Sequence, residues 1–244
     1  MGAAGGDPDG GDVNEFLEAF SWIADPAHWN GVDGIPNRLL EHLWYSGAAL
    51  AIAALLAVPV GVAVGHRRSR RAEVIAVQTA NAGRAIPTFA VLVLVYVVML
   101  QFAPKLAFGF VPTVVALVLL GLPPILLNTT IGMRTVDADL RESAGGMGMN
   151  GRQLLRWVEV PLAAPLVVTG LRIAALQIVA TATLAAFIAG GGLGRYIRDG
   201  FSQQDRPQMI AGAYLVAALA LATEGLFALL ARATAPQGTG SKRR

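Results

Sequence analysis

Hydrophobic residues in this chain are gathered into blocks long enough to cross a lipid bilayer. The first block covers residues 45–64 and contains no charged residue. About 20 helical residues, each rising 1.5 Å, span the hydrocarbon layer. Four more apolar blocks follow, at residues 72–100, 111–127, 162–188 and 209–230. The pattern predicts an all-α fold, a multi-pass transmembrane helical bundle with about five spans.

The second block is predicted as one long helical stretch. Asn81, Arg84 and Pro87 interrupt its first half. Charged and amide groups are unfavourable in hydrocarbon, so only the second half of this stretch is expected to face lipid.

Composition supports a membrane protein and excludes several other classes. The chain is 55% hydrophobic and only 14% charged, whereas soluble domains carry about 25% charged residues. It has no cysteine, which excludes disulfides and thiolate metal sites. The three histidines, at positions 28, 42 and 66, show no metal-ligand spacing. Basic residues flank the apolar blocks instead of lining one solvated face, which argues against a nucleic-acid partner.

The distribution of charge predicts an orientation in the cell membrane. Basic residues are concentrated in residues 66–71, 128–161 and 242–244, which fall on one side of a five-span bundle, whereas the acidic N-terminal segment falls on the other. Positive charge is retained in the cytoplasm. We therefore expect the N-terminus outside and the C-terminus in the cytoplasm.

Three regions are expected along the chain. Residues 1–40 form an extracytoplasmic segment, in which residues 1–12 are expected to be disordered and residues 13–38 to form either a short interfacial helix or an ordered loop. Residues 41–233 form the transmembrane domain and contain a cytoplasmic loop at residues 128–161. A basic cytoplasmic tail occupies residues 234–244.

The cytoplasmic loop has glycine and capping residues that favour two short amphipathic helices. Asp137 is placed to cap the first helix, and Gly148 or Gly151 supplies the turn. Asn150 followed by Gln153 predicts a capping box at the second helix. A proline eight residues later, at position 161, is expected to break the chain before it re-enters the membrane.

The spacing of this loop resembles the EAA motif of ABC importer permeases. The motif reads Glu-Ala-Ala, three residues, Gly, nine residues, Ile-x-Leu-Pro, and here Ser143 replaces an alanine while Val158 and Val160 replace isoleucine and leucine. The resemblance implies the type I ABC importer permease fold. It also implies that the loop carries a coupling helix, which docks in a groove of a cytoplasmic ATPase subunit. Six residues are the implied ATPase-coupling set: Glu142, Ser143, Ala144, Gly148, Val158 and Pro161.

Other segments are similar to the osmoprotectant branch of these permeases. They are residues 81–89, 124–129 and 181–188, the last followed by a glycine run. The similarity implies import of glycine betaine, choline, carnitine or proline betaine. Methionine and other small solutes are the alternative cargo, since related permeases share the same bundle.

The resemblance also implies partners for this chain. They are an extracytoplasmic substrate-binding protein, a second permease copy or paralogue, and the ATPase. The chain has no GxxxxGK[ST] phosphate loop, and its glycine run at 190–194 is predicted to be a tight turn. ATP and Mg²⁺ are therefore expected on the partner ATPase, and this chain is expected to bind no cofactor and to be a transport subunit instead of an enzyme.

Polar and proline residues inside the apolar blocks are candidates for a translocation pathway. Each of them could equally serve helix packing, since hydroxyl and amide groups hold membrane helices together. The candidates are Asn81, Pro87, Asn128, Thr129, Gln177 and Thr181.

Three ionisable residues lie within or near the apolar blocks: Arg84, Arg172 and Glu224. A charge at the bilayer centre costs at least about 2.5 kcal/mol, so each should face protein or water. We expect Glu224 to pair with one of the two arginines.

Overall fold

The computed structural model describes residues 10–188 and 190–234, with the side chains of residues 10–13, 82, 84, 85 and 234 left out. Most of the N-terminal segment expected to be disordered, and the basic tail from residue 235, lie outside these ranges.

The described part of the chain is built from helices. Shorter 3-10 helices lie at Pro26–Trp29, Pro104–Leu106 and Thr183–Ile188, and a π turn lies at Leu155–Glu159. The α-helices are α1 (Gly10–Ala24), α2 (Ile35–His66), α3 (Arg70–Ala85), α4 (Thr88–Phe102), α5 (Phe110–Arg134), α6 (Ala138–Gly146), α7 (Gly151–Leu154), α8 (Val160–Ala182), α9 (Gly194–Gln203) and α10 (Arg206–Thr234).

Four helical segments are long and apolar enough to cross a membrane. They are α2, α5, the continuous segment Gly151–Ile188 that contains α7 and α8, and the segment Arg206–Ala233 of α10. Helix α4 is a shorter apolar helix of 15 residues; at 1.5 Å per residue it is roughly 22 Å long. The predicted bundle of about five apolar helices is confirmed, with α4 as its shortest member.

The single long stretch predicted at residues 72–100 is wrong, because the chain turns between α3 and α4. Ile86 is extended, with φ −80° and ψ 127°, and Pro87 stands at the N-cap of α4. A proline ring clashes with a helical conformation of the preceding residue, which therefore becomes extended and ends the helix.

The predicted chain break at Pro161 is also wrong. The helix runs from Gly151 through the π turn into α8, and the Val160 amide donates to the Leu155 carbonyl oxygen across that wide turn. Pro161 stands in the first turn of α8. A π turn next to a proline leaves room for the ring and for the missing N–H, so the helix continues.

Small residues bring α2 close to α5 and α8. They recur along one buried face of α2 and are Ala49, Ala53, Ala57, Gly61 and Gly65. Lipid tails are as apolar as leucine, so helices in a membrane associate by close van der Waals packing. The buried core between the three helices contains Leu117, Ile125 and Ile178.

The bundle has two ends with different chemistry. The basic end is formed by residues 66–71 and 134–156, and the glycine-turn end by residues 33–41 and 190–196. Helix α1 packs on α10, where Phe20 stacks on Tyr214 with ring centroids 4.7 Å apart. The N-terminal segment is therefore helical over α1.

Candidate functional site

The segment that joins α5 to α8 forms a helix–turn–helix at the basic end, with α6 and α7 as its two helices. The Asp137 side chain accepts a hydrogen bond from the Asp139 amide at 2.8 Å, which caps α6. Asn150 and Gln153 exchange side chain and backbone bonds of 3.0 and 2.8 Å at the start of α7. The predicted cap and the predicted capping box are both confirmed.

Gly148 makes the turn between these helices. Its φ is +88°, a value that residues other than glycine rarely adopt. Its amide donates a hydrogen bond to the Gly145 carbonyl oxygen at 2.9 Å, and the Met149 amide donates to the Ala144 carbonyl oxygen at 3.2 Å. This pair of bonds is a Schellman motif, which ends α6 and sets the direction in which the chain leaves it.

The residues of the implied ATPase-coupling set lie on this segment with different exposure. Glu142, Ser143 and Gly148 are exposed, as is Pro161 at the start of α8. Ala144 is buried and Val158 half-buried. Two large apolar side chains beside them are also exposed, at 73% for Met147 and 72% for Trp157. The segment therefore presents charged side chains of both signs and large apolar side chains outside the bundle.

Glu159 is a functional candidate that the sequence reasoning missed. Its side chain is fully buried, and one carboxylate oxygen accepts a hydrogen bond from His66 Nδ1 at 2.5 Å. The other oxygen forms an ion pair with Arg141 on α6. The three side chains, which we name the Glu159 cluster, join α2, α6 and the π turn. The available signal was a single acid between two valines at the start of an apolar block.

Two further contacts join elements at the basic end. Arg68, just after α2, donates to the Val136 carbonyl oxygen at 2.5 Å, in the linker that precedes α6. Glu73 on α3 pairs with Arg134 at the end of α5, at 2.8 Å, with both side chains partly exposed.

Arg172 and Glu224 form an ion pair between α8 and α10. Arg172 Nε donates to one carboxylate oxygen of Glu224 at 2.8 Å, and a guanidinium nitrogen contacts the other oxygen. The side chain of Arg84, the other candidate partner, lies outside the described residues. The bidentate geometry satisfies both charges where water is scarce.

We expect Glu224→Gln to weaken this helix pair. The change leaves the Arg172 charge without its carboxylate, but the amide oxygen of glutamine can still accept a hydrogen bond from the guanidinium, so the loss should be about 1 kcal/mol, in the range of polar contacts between membrane helices. This corresponds to a fall in Tm of roughly 2–4 °C, measured by thermal unfolding in detergent. Glu18→Gln, at an exposed position of α1, is the control. Unchanged stability, assembly and transport in Glu224→Gln would show that the pair is dispensable.

Two pathway candidates on α5 make contacts within the bundle. The Asn128 amide donates to the Pro124 carbonyl oxygen of its own helix at 2.8 Å. Thr129 is fully buried, and a Cβ placed at Gly61 would lie 2.7 Å from its Cβ. Thr129 therefore lies in the packed contact between α2 and α5.

The remaining pathway candidates lie on other helices. Gln177 is half-buried and Thr181 is buried one turn later on the same side of α8. Asn81 on α3 and Pro87 before α4 are exposed. An apolar cavity of about 500 Å³ between α2, α3, α4 and α5 is lined by other residues, among them Leu56, Gly83 and Pro123.

A second polar cluster at the glycine-turn end was also missed. Arg38 is only 8% exposed and pairs with Glu41 at 2.7 Å and with Asp33. Glu41 accepts a hydrogen bond from the Gly192 amide at 2.8 Å. The predicted tight turn is confirmed: Gly192 has φ +83°. The cluster fastens this turn to the start of α2.

Tyr196 completes the same cluster. Burial raises the pKa of Tyr196 to about 12, further above neutral pH than the ordinary tyrosine value. The Tyr196 hydroxyl donates to the Asp33 carbonyl oxygen at 2.6 Å. The start of α9 is thereby held against the residues that precede α2.

Metal ligands do not gather among the described residues: no group of three histidine, cysteine or acidic side chains there could hold an ion. The chemistry that the described residues offer is ion pairing and exposed apolar surface.

Comparisons with known proteins agree with this architecture. Residues 57–236 match the family described as binding-protein-dependent transport system inner membrane component. The glycine betaine/carnitine/choline transport system permease protein OpuCB of Bacillus subtilis is 37% identical over 198 residues, covering 81% of this chain and 87% of that protein. The choline transport system permease protein OpuBB of the same organism is 36% identical over 201 residues, covering 82% and 88%.

A solved structure shares the fold at lower identity. A chain of the MetNI methionine ABC transporter, in inward-facing conformations, superposes with a TM-score of 0.71 and 20% identity, covering 83% of this chain and 96% of that chain. The likeness shows that the helices are arranged as in an ABC importer permease.

Proposed function

Since this chain belongs to the family of binding-protein-dependent transport system inner membrane components, we propose that it is the membrane-spanning permease of an ABC importer for quaternary-amine osmoprotectants. The cargo class contains glycine betaine, choline, carnitine and proline betaine. The chain is a transport component, and ATP hydrolysis is assigned to a separate subunit that holds ATP and Mg²⁺.

The observation that carries this proposal is identity spread along most of the chain to permeases named for this cargo. The glycine betaine/carnitine/choline relative aligns over 81% of the chain, and the alignment is therefore not confined to one motif. The methionine transporter supports the fold alone, because its chain is only 20% identical. Methionine is accordingly the weaker candidate.

The two ends of the bundle suit different partners. We assign the cytoplasmic ATPase to the basic end, where Glu142, Ser143 and Met147 are exposed on or beside α6. The extracytoplasmic binding protein is assigned to the glycine-turn end, and a second permease copy or paralogue to the side of the bundle. This arrangement places the N-terminus outside and the C-terminus in the cytoplasm, consistent with retention of basic segments inside.

Alternating access follows from these assignments. Closure of the ATPase dimer would move α6, and the spans would open toward the binding protein. A ligand shifts such an equilibrium only through different affinities for the two states. Gln177 and Thr181, one turn apart on α8, are the residues we favour for the pathway face, because they place two polar side chains on one side of the helix, Gln177 half-buried and Thr181 buried.

Uptake of radiolabelled glycine betaine after a salt upshift tests the proposal. Cells with the intact chain are compared with cells that lack it. We expect saturable uptake that is lost without the chain and is competed by unlabelled choline or carnitine but not by methionine. Competition by methionine, or uptake that does not depend on the chain, would contradict the proposed cargo.

A further inference from the structure

The Glu159 cluster places a carboxylate with no solvent exposure between two basic side chains. Removing a carboxylate from water is unfavourable by several kcal/mol unless its partners are well placed. The partners come from separate elements, since His66 is the last residue of α2 and Arg141 lies on α6. The position of α6 is therefore tied to the end of α2 and to the start of α8.

Packing alone gives α6 little attachment to the spans. Among the described elements it packs chiefly on α7, and Ala144 is its one buried residue. The ion pair from Arg141 to Glu159 is thus a principal link between α6 and the transmembrane helices. The hydrogen bond from Arg68 to the Val136 carbonyl oxygen, at 2.5 Å, holds the linker before α6 in the same way.

We propose that Glu159 is a positioning residue that fastens the coupling helix α6 to α2 and α8, so that movement of α6 is transmitted to the spans. This inference rests on the proposed permease function. Glu159 acts through Arg141 and His66, and it has no contact with cargo or nucleotide in this assignment.

Another ion pair at the basic end provides a matched comparison. Glu73 and Arg134 join α3 to α5 without involving α6, and their side chains are partly exposed. An ion pair that only stabilises the protein would, at either place, lower stability by an amount that depends on its burial, without changing the amount of cargo moved per ATP. An ion pair that transmits movement matters at Glu159 alone.

The first test measures coupling in proteoliposomes that contain the complete transporter with its ATPase and binding protein. In Glu159→Gln we expect ATP hydrolysis to persist, while the amount of glycine betaine moved per ATP falls about tenfold, within the range of coupling changes caused by mutations in such networks. Glu73→Gln should keep the original ratio. An unchanged ratio in Glu159→Gln would overturn the proposal.

A double variant separates positioning from neutralisation of charge. Glu159→Gln leaves the Arg141 guanidinium without its carboxylate, and this alone destabilises a buried site. In Arg141→Met/Glu159→Gln that charge is absent, so we expect yield and Tm to recover while the transport ratio stays low. Recovery of the ratio would show that Glu159 only neutralises Arg141, and the proposal would be wrong.

A third measurement needs no cargo. Because the chain has no cysteine, spin labels can be placed at Leu140→Cys on α6 and Leu229→Cys on α10, both exposed positions. We expect the distance distribution between the labels to broaden in Glu159→Gln and to stay unchanged in Glu73→Gln. No broadening would overturn the proposal. Broadening in a transporter that moves no quaternary amine would support the role of Glu159 and contradict the proposed cargo.

Discussion

Replacing Gly148 with aspartate should abolish uptake while the chain still inserts into the membrane. Gly148 has φ +88°, and a left-handed conformation costs an L residue roughly 1–2 kcal/mol. The strained turn would lose the two bonds that its amide and the Met149 amide make to the end of α6. Relaxation of the turn would reorient α6, and the new carboxylate would add charge to the proposed docking surface.

Co-purification and uptake measure the two parts of this prediction. In mild detergent, Gly148→Asp should bring down much less ATPase than the original chain, and cells carrying it should take up glycine betaine at the background rate. Gly145→Ala is the control: this glycine is helical, with open space around a built Cβ, and alanine favours helices. Normal ATPase binding and normal uptake in Gly148→Asp would contradict the assignment of α6 as the coupling helix.

The helix–turn–helix at the basic end could be predicted because its stabilising bonds are local. Asp137 caps an amide two residues ahead, and Asn150 and Gln153 are three residues apart. Gly148 likewise depends only on its own backbone, whose positive φ favours glycine. Features of this kind depend on short stretches of sequence and are visible without the fold.

The course of the backbone at Pro87 and Pro161 was harder to predict because a proline can either end a helix or be accommodated within it. Pro87 follows an extended residue and separates α3 from α4, whereas Pro161 sits in a helix that a π turn keeps continuous. The sequence around each proline permits either a break or a compensated helix. The local backbone differs between them: Ile86 is extended before Pro87, whereas a π turn precedes Pro161.

The Glu159 cluster could not be predicted from local spacing. His66 and Glu159 are 93 positions apart, and only the packing of α2 beside α8 brings them together. The pairing of Arg172 with Glu224 was easier to anticipate, because few charges occur in the apolar blocks and each needs a partner. The pathway candidates were chosen by residue type. Residue type does not distinguish Thr129, which is buried in a packed helix contact, from Gln177, which is half-buried.

The largest effect on stability is expected for Gly65→Ala, because α2 and α5 approach each other closely at this residue. A Cβ built there would lie 2.3 Å from the Cβ of Met133 and 3.1 Å from the Thr130 carbonyl oxygen. Neither neighbour is the free end of a side chain, so Gly65→Ala must push the helix backbones apart. Overpacking of this kind is unfavourable by about 1–3 kcal/mol or more.

The same substitution at Gly47 gives a matched control on the same helix. A Cβ at Gly47 meets nothing within 4 Å, and alanine in a helix interior is favoured over glycine by about 0.5–1 kcal/mol. We therefore expect opposite shifts in thermal unfolding in detergent: Tm should fall in Gly65→Ala, by roughly 2–4 °C for each kcal/mol, and stay equal or rise in Gly47→Ala. Equal Tm values in both variants would show that α2 and α5 are not in tight contact at Gly65. Helix propensity acts in the same direction at both glycines. A fall in Tm confined to Gly65→Ala would therefore show that the short distance between α2 and α5 requires glycine at this position.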